Sequence, residues 1–263
     1  MPPMSRRNFD ELGTLMTTLR APGGCPWDRE QTLADLKPFV IEEAYEVVDA
    51  IDREDSAALR EEVGDMLLEA VFVAEIAREN GSFDVYDAVT AVHDKLVRRH
   101  PHVFAGADAA DAEAVLVNWE KLKNEERKRE SKSLLSGVPV SLPALLKATR
   151  LTEKAARVGF DWENPQDVVE KMEEELEELK VAIRSDDRRE IENELGDLFF
   201  TLANIARKLK VNSEEALQAT NRKFIRRFQA VEAGLRSAGR TFEEATLAEM
   251  DELWNEAKER ERD

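Results

Sequence analysis

The fold of this chain is decided by two neighbouring segments, MEEELEELKVAI at 172–183 and EIENELGDLFFTLANIA at 190–206. Apolar residues recur in both at three- and four-residue spacing, which predicts two amphipathic helices. The break between them is short and polar, so we expect an antiparallel helical hairpin.

The same pattern occurs a second time nearer the start of the chain, as IEEAYEVVDAI at 41–51 and LREEVGDMLLEAVFVAEIA at 59–77. Its key positions lie 132 residues before their counterparts. Glu43 corresponds to Glu175, Asp65 to Asp197, and the mid-helix glycine at 64 to the one at 196. Self-similarity at a constant shift indicates internal duplication. We therefore predict two related helical units in tandem.

Helical periodicity extends over most of the remaining chain, and no strand pattern competes with it. The predicted helices lie near 8–20, 31–52, 56–79, 84–99, 111–130, 143–157, 165–184, 188–210, 213–237 and 242–261. Asn164-Pro165 is typical of a helix start, and the segments 212–215 and 241–244 are typical of capping boxes. The fold class is therefore predicted to be all-α, with packing of the four-helix-bundle type.

A linker is predicted at 131–143, SKSLLSGVPVSLP, because it follows a highly charged helix and contains a glycine and two prolines. This divides the chain into an N-terminal domain at 1–130 and a C-terminal domain at 144–263. With 263 residues and 42% apolar content, each domain can bury its own core.

The overall charge and composition exclude several classes of protein. A formal charge of -18 opposes binding of nucleic-acid phosphates, so no nucleic-acid partner is expected. The single cysteine, Cys25, forms no intramolecular disulfide, and no Cys/His cluster has the spacing of a zinc site. No run approaches the ~20 apolar residues of a membrane span, and no apolar signal core is present. We expect a cytoplasmic protein without a membrane partner.

Carboxylates are placed symmetrically about both polar breaks. In the C-terminal copy the pairs 175/197 and 178/194 are both centred on residue 186, and in the N-terminal copy 43/65 and 46/62 are centred on residue 54. On each helix the two acids are three residues apart, so they share a face and lie about 4.5 Å apart along the helix axis. Each hairpin is therefore predicted to bring four carboxylates together: Glu43, Glu46, Glu62 and Asp65, and Glu175, Glu178, Glu194 and Asp197.

Four facing carboxylates repel one another unless a hard cation binds them, so we predict a Mg²⁺ site in each half, with Mn²⁺ as a possible substitute. The three histidines lie elsewhere, which counts against a ferritin-like di-iron centre. Glu42, Glu61, Glu173, Glu174 and Glu177 are either outer partners of the metal or surface residues. Gly64 and Gly196 indicate a close backbone approach, a packing requirement or an ordinary helix crossing.

These carboxylate motifs closely resemble the MazG family of nucleoside triphosphate pyrophosphohydrolases, whose mark is Glu-Glu-x-x-Glu followed by Glu-x-x-Asp. Here the motif reads EEAYE at 42–46 with EVGD at 62–65, and EELEE at 174–178 with ELGD at 194–197. The segments GGCPWDREQT, KLVRRHPHVF, VGFDW and KFIRRF, at 23–32, 95–104, 158–162 and 223–228, look like those of the two-domain bacterial members. The resemblance covers almost the whole chain.

The resemblance implies hydrolysis of a nucleoside triphosphate between its α- and β-phosphates, giving monophosphate and pyrophosphate, in a helical fold that dimerises. It makes Glu175 and Glu178 catalytic metal ligands, and Glu174 is our candidate general base. It also implies five substrate contacts: Lys171, Lys223 and Arg227 to the triphosphate, and Trp254 and Lys258 near the end of the chain. Cationic donors suit phosphate oxygens, and an indole can stack on a base.

The N-terminal half keeps its carboxylates, with Lys95, Arg98, Arg99, Trp119 and Lys123 as candidate pocket residues. Its flanking matches need insertions or deletions, because Lys95 to Lys223 is a shift of 128 and Trp119 to Trp254 a shift of 135. We therefore expect the C-terminal half to be the main catalytic site, while the N-terminal half is regulatory, structural or weakly active.

Two other functions remain open from the residues alone. One is a helical bundle that binds divalent metals, or a di-metal redox bundle, without a nucleotide substrate. The other is a regulatory helical protein whose acidic stripes bind a basic partner. Metal dependence and the products formed from nucleotides distinguish these from a pyrophosphohydrolase.

Overall fold

A computed structural model describes residues 7–106, 111, 115, 119 and 133–261. These residues form helices joined by turns and irregular segments, and no strand occurs among them, so the predicted all-α class is confirmed. The chain divides into two compact units, Met1–Glu126 and Arg127–Asp263. None of the described helices combines the length and apolar composition needed to cross a membrane.

The N-terminal unit is built around one long helical hairpin. Its helices are α1 (Phe9–Arg20), α2 (Pro26–Glu30), α3 (Leu36–Asp52), α4 (Ser56–Glu79), α5 (Val85–Arg99) and α6 (Pro101–Phe104). Helices α3 and α4 pack along each other, α1 lies against α4, and α5 also contacts α4. The buried core lies where these helices meet and consists of Met16, Leu36, Val71, Phe72 and Ile76.

The C-terminal unit repeats the hairpin and surrounds it differently. Its helices are α7 (Ala144–Ala156), α8 (Pro165–Ser185), α9 (Arg188–Lys208), α10 (Ser213–Ser237) and α11 (Leu247–Arg260). Helices α8 and α9 form the hairpin, α7 packs on α9 and α10, and α11 pairs with α10. The largest fully buried side chains here include Val168, Val231 and Asn204.

The two hairpin turns have the same backbone geometry, and each is centred where the carboxylate symmetry predicts. Glu54 and Asp186 adopt left-handed conformations, with φ of 53° and 55°. The next residue, Asp55 or Asp187, caps the following helix by accepting bonds from two backbone N–H groups of its first turn. A left-handed residue followed by an acidic N-cap reverses the chain, over three residues between α3 and α4 and two between α8 and α9, so both pairs of helices run antiparallel.

Two predicted helix boundaries are wrong. The helix predicted at 31–52 begins at Leu36, because the Asp35 carboxylate accepts bonds from the amide and hydroxyl of Thr32 and closes a turn there. The helix predicted at 242–261 begins at Leu247, because a complete capping box forms at Thr246 rather than at Thr241.

The other predicted helices that fall on described residues agree with the observed ones to within two residues. The short helices α2 and α6 were not predicted, and each begins with a proline at its first position. The predicted helix at 111–130 lies outside the described residues apart from positions 111, 115 and 119. The described part of the predicted linker, 133–143, contains no helix.

Candidate functional site

The hairpin of the C-terminal unit brings three of its four predicted carboxylates together. Glu175 comes from α8, while Glu194 and Asp197 lie one turn apart on α9. One oxygen from each of the three lies within 4.8 Å of the oxygens of the other two. Mg²⁺ binds oxygen at ~2.1 Å, so two ligands on opposite sides of it are about 4.2 Å apart. Small side-chain adjustments would let these three oxygens share one divalent cation.

Burial and mutual repulsion act on this cluster. Glu175 is 6% exposed, and Glu194 is half-buried. Burial raises the pKa of Glu194, and the neighbouring carboxylates of Glu178, Glu175 and Asp197 raise it further. Glu178, the fourth predicted ligand, is not part of the three-residue group, but it is close enough to contribute to this repulsion. Its role as a metal ligand stays a prediction.

Lys171 supplies the positive charge that balances part of this cluster. Its Nζ donates to Glu174 Oε1 at 2.8 Å and lies 2.9 Å from Glu175 Oε1. Hydrogen bonds with Glu174 and Glu175 raise the pKa of Lys171, so its ammonium form is favoured. The predicted phosphate ligand and the predicted general base are therefore paired with each other in this state of the protein.

The N-terminal hairpin forms a matching cluster from Glu43, Glu62 and Asp65, again with oxygens within 4.8 Å of one another. Glu46, the counterpart of Glu178, again lies outside the group of three. Within the described part of the chain, Oε2 of Glu43 is buried without a hydrogen-bond partner. Burial raises the pKa of Glu43, and repulsion from Glu46, Asp65 and Glu62 adds to this effect. Burial likewise raises the pKa of Glu62.

Sequence reasoning missed one further acid beside the N-terminal cluster. Glu69 follows Asp65 by one turn of α4, and its Oε2 is buried without a partner among the described residues. Burial raises the pKa of Glu69, with a further contribution from Asp65. The corresponding position in the other half is Thr201. The four-residue spacing between Asp65 and Glu69 was an available signal, but the C-terminal half has no acid at the corresponding position, so the comparison of the two halves did not reveal it.

The predicted substrate contacts of the C-terminal unit lie on two paired helices. Helix α10 carries Lys223 and Arg227 one turn apart, and α11 carries Trp254 and Lys258 at the same spacing. The guanidinium carbon of Arg227 lies 5.8 Å from the centre of the Trp254 ring, within cation–π distance. Phe224 also packs against this indole, with ring centres 5.1 Å apart. Arg227 and Trp254 thus form one basic and aromatic surface.

Arg227 of this surface is paired with a carboxylate that the sequence did not single out. Glu261, just after α11, accepts a hydrogen bond from Arg227 Nε at 2.8 Å and lies 2.7 Å from its Nη2. Arg226 lies 3.3 Å from the other oxygen of Glu261. The hydrogen bond with Arg227 holds the pKa of Glu261 below its usual range. The ion pairs of Arg227 thus run to Glu261 rather than to the carboxylate cluster.

The N-terminal unit contains the same type of arginine–tryptophan pair. The guanidinium carbon of Arg99 lies 5.4 Å from the centre of the Trp119 ring. Lys95 lies one turn before Arg99 on α5 and is exposed, as is Arg98. Lys123 lies outside the described residues. In each half the structure therefore brings an arginine and a tryptophan together, although the two halves can be aligned at these positions only with insertions and deletions.

The mid-helix glycines are not explained by packing within the described chain. Apart from the neighbouring backbone of its own helix and the adjacent residues, a Cβ atom added at Gly64 or Gly196 would meet no described atom within 4 Å. Each glycine directly precedes an aspartate of a carboxylate cluster, Asp65 or Asp197. Neither a close backbone approach nor a helix crossing among described residues requires them, and open space lies above both.

Comparison with known proteins agrees with this duplicated arrangement. The MazG nucleotide pyrophosphohydrolase domain matches twice, at residues 31–104 and 163–231. The nucleoside triphosphate pyrophosphohydrolase/pyrophosphatase MazG of Thermotoga maritima is 44% identical over 250 residues, which cover 95% of each chain. The nucleoside triphosphate pyrophosphohydrolase of Escherichia coli K12 is 45% identical over 259 residues, which cover 97% of this chain and 98% of that protein.

A third relative, the uncharacterized protein YabN of Bacillus subtilis, is 44% identical over 97% of this chain, and the match covers 52% of that longer protein. The two family matches contain both carboxylate clusters, one in each half, and the relatives from Thermotoga and Escherichia extend the similarity over nearly the full length. On this evidence the chain belongs to the MazG nucleotide pyrophosphohydrolase family.

Proposed function

We propose that this protein hydrolyses nucleoside triphosphates to nucleoside monophosphates and pyrophosphate, with the C-terminal unit as its main catalytic site. The observation that carries the proposal is the convergence of Glu175, Glu194 and Asp197 in a chain of this family. This cluster is accompanied in the same unit by a surface of cationic and aromatic side chains. Together they match the two parts of a nucleotide, its charged phosphates and its flat base.

The donor set of each cluster fits a hard divalent cation, because every converging atom is a carboxylate oxygen. We propose Mg²⁺ as the ion, held by Glu175, Glu194 and Asp197 with Glu178 as a fourth ligand, and by the corresponding N-terminal carboxylates. When bound, Mg²⁺ would neutralise phosphate charge and lower the pKa of coordinated water.

The chain's own residues would bind and orient the substrate. Lys171, one turn before Glu175 on α8, is placed to donate to a phosphate oxygen beside the cluster. Arg227 is placed to donate to phosphate oxygens, as its Nε donates to Oε2 of Glu261, with Nη2 2.7 Å from the same oxygen. The indole of Trp254 offers a face on which a base can stack with little preference among bases. Lys223 and Lys258 add positive charge near the same helices.

Proton transfer is assigned to Glu174. This side chain is exposed and is not one of the three converging ligands, so it is available to accept a proton from the attacking water. Its hydrogen bond to Lys171 must loosen for this role.

A homodimer in the cytoplasm is the setting that we propose for this reaction. In α9, Leu195, Phe199 and Leu202 form an exposed apolar stripe at four- and three-residue spacing, next to the carboxylate face. The N-terminal hairpin exposes Val63 and Leu67 at the corresponding positions. Stripes of this kind favour burial against another helical hairpin, and a second copy of the chain would complete a four-helix bundle.

The test is to incubate the protein with each nucleoside triphosphate and Mg²⁺ and to identify the products by chromatography and a pyrophosphate assay. We expect monophosphate and pyrophosphate in equal amounts, and no reaction in EDTA. Orthophosphate with diphosphate, or no turnover with any nucleotide, would contradict the proposal. Turnover that continues unchanged in EDTA would exclude the metal role.

Matched variants assign the activity to one half. Glu175→Gln should lower kcat at least a hundredfold, and Glu43→Gln should change it less than threefold. Glu177→Gln is the control on the same helix, because Glu177 is exposed and pairs with Lys180 at 2.7 Å. If only Glu43→Gln abolished turnover, the N-terminal unit would be the catalytic one.

A further inference from the structure

The two carboxylate clusters differ in how their most central acid is neutralised. Glu175 is 6% exposed, and an ionised carboxylate at such a position requires a countercharge. Lys171 provides it, with its Nζ 2.9 Å from Oε1 of Glu175 and 2.8 Å from Oε1 of Glu174. The ammonium group therefore contacts a carboxylate oxygen of Glu175, the kind of atom that a divalent cation would bind.

The N-terminal cluster forms without such a lysine. The residue one turn before Glu43, which corresponds to Lys171, is Phe39. Its ring packs edge-on against Trp27, with ring centres 6.0 Å apart, and against the buried core. Glu43 keeps a buried oxygen without a hydrogen-bond partner among the described residues. A cluster of this type therefore converges in the N-terminal unit without a lysine one turn before its glutamate.

We propose that Lys171 is an exchangeable countercharge: it neutralises Glu175 when no divalent cation is present, gives up that carboxylate when one binds, and then contacts a substrate phosphate. This inference rests on the proposed function, since it needs both a metal and a phosphate ligand at the cluster. It adds that one side chain links their binding.

The exchange has a thermodynamic consequence. The cation must replace the ion pair between Lys171 and Glu175, so its own affinity is reduced by the strength of that pair. The released ammonium group is then available to phosphate, so cation and triphosphate favour each other's binding, and linkage makes the effect reciprocal. The N-terminal cluster has no lysine at this position, so a cation that binds there does not compete with an ion pair of this kind.

The experiment measures Mn²⁺ binding by calorimetry and by electron paramagnetic resonance, without nucleotide. Glu43→Gln with Glu62→Gln removes two of the three converging N-terminal carboxylates, so that the intact C-terminal cluster dominates the Mn²⁺ signal. In that background Lys171→Met, which keeps the length of the chain and removes the charge, should bind Mn²⁺ about fivefold more tightly, the effect of losing one partly exposed ion pair.

Lys180→Met is the matched control, because Lys180 lies on the same helix and pairs with Glu177, a carboxylate outside the cluster. It should change Mn²⁺ affinity less than twofold at the same ionic strength. With Mn²⁺ saturating, Lys171→Met should also weaken binding of an ATP analogue with a non-hydrolysable α,β linkage at least tenfold. The opposite signs of these two effects distinguish exchange from a general loss of structure.

Each other outcome overturns the inference. Unchanged Mn²⁺ affinity with weaker analogue binding would make Lys171 a phosphate ligand only, and the proposed function would stand. Equal gains in affinity for Lys171→Met and Lys180→Met would indicate a general charge effect. Absence of Mn²⁺ binding in the background protein would remove the metal assignment itself, and the proposed function would fail with the exchange.

Discussion

The buried Oε2 atom of Glu43 has no hydrogen-bond partner among the described residues, and from this we predict a change in stability opposite in sign to the usual effect of changing a buried residue. Glu43→Gln replaces the carboxylate with a neutral group of the same shape. In the folded protein the Oε2 atom is buried without a partner among the described residues. A glutamine amide at this position can donate hydrogen bonds to the facing oxygens of Glu62 or Asp65. Without a metal, the variant should therefore be more stable than the natural protein.

The magnitude follows from the degree of burial. A fully buried unsatisfied polar group costs about 1–3 kcal/mol. Glu43 is only half-buried, so we expect the lower limit, about 1 kcal/mol in the free energy of unfolding. For a unit of this size that corresponds to a rise of about 4 °C in Tm.

The pH dependence has a defined sign. Because burial and its neighbours raise the pKa of Glu43, the folded state binds its proton more tightly than the unfolded state does. Stability contributed by this group is therefore present below the unfolded pKa and is lost as the pH rises through the higher folded pKa. The advantage of Glu43→Gln should be smallest at acidic pH and should increase as the pH rises toward neutrality.

The assay is differential scanning calorimetry in EDTA between pH 4 and pH 7.5, repeated with excess Mg²⁺ at neutral pH. Mg²⁺ should stabilise the natural protein more than the variant and so remove or reverse the difference. Glu42→Gln is the control, because Glu42 is the exposed neighbour on α3. A variant less stable than the natural protein in EDTA at pH 7, or a difference independent of pH, would refute the reasoning.

Three further substitutions test other parts of the structure. Glu261→Gln should lower KM for nucleotides about threefold with little change in kcat, because the triphosphate no longer competes with a carboxylate for Arg227. Steady-state kinetics measures this effect, and an unchanged or higher KM would contradict it. Gly196→Ala should raise stability by about 1 kcal/mol in thermal unfolding, since its Cβ meets no described atom, and a loss would indicate that another chain packs there. Gly24→Ala should destabilise the fold by about 3 kcal/mol in urea unfolding, because a Cβ would collide with the carbonyl oxygen of Leu19, and a neutral result would contradict this packing.

Local pattern was sufficient for the hairpins and for the faces that carry the acids. A period of 3.6 residues determines which side chains share a helix face, so Glu194 and Asp197 had to project together. The centre of carboxylate symmetry predicted the turn, and Asp186 is the left-handed residue found there. Helix starts were less certain, since Thr241 and Thr246 both offer a capping box and only one begins a helix. Both bonds of the box form at Thr246, whereas at Thr241 the backbone amide donates to Glu244 and no helix begins.

Partners that come from different helices or distant parts of the chain could not be predicted in this way. Arg99 meets Trp119, and Arg227 meets Trp254, across intervals of 20 and 27 residues that depend on how the helices between them turn. Glu261 reaches Arg227 only because α11 lies beside α10. Periodicity describes one helix at a time and contains no information on these distances.

By itself, the sequence predicted a duplicated all-α chain with a carboxylate cluster centred on each hairpin turn, because helical period and a shift of 132 residues are properties of the chain alone. The resemblance to the MazG family came from the motifs, and the family match bears it out. Only the tertiary structure decided which charges balance those clusters. Glu175 is neutralised by Lys171, whereas Glu43 retains a buried oxygen without a described partner. The physical reason is that desolvation and ion pairing depend on packing in three dimensions, so two similar motifs acquire different electrostatic environments.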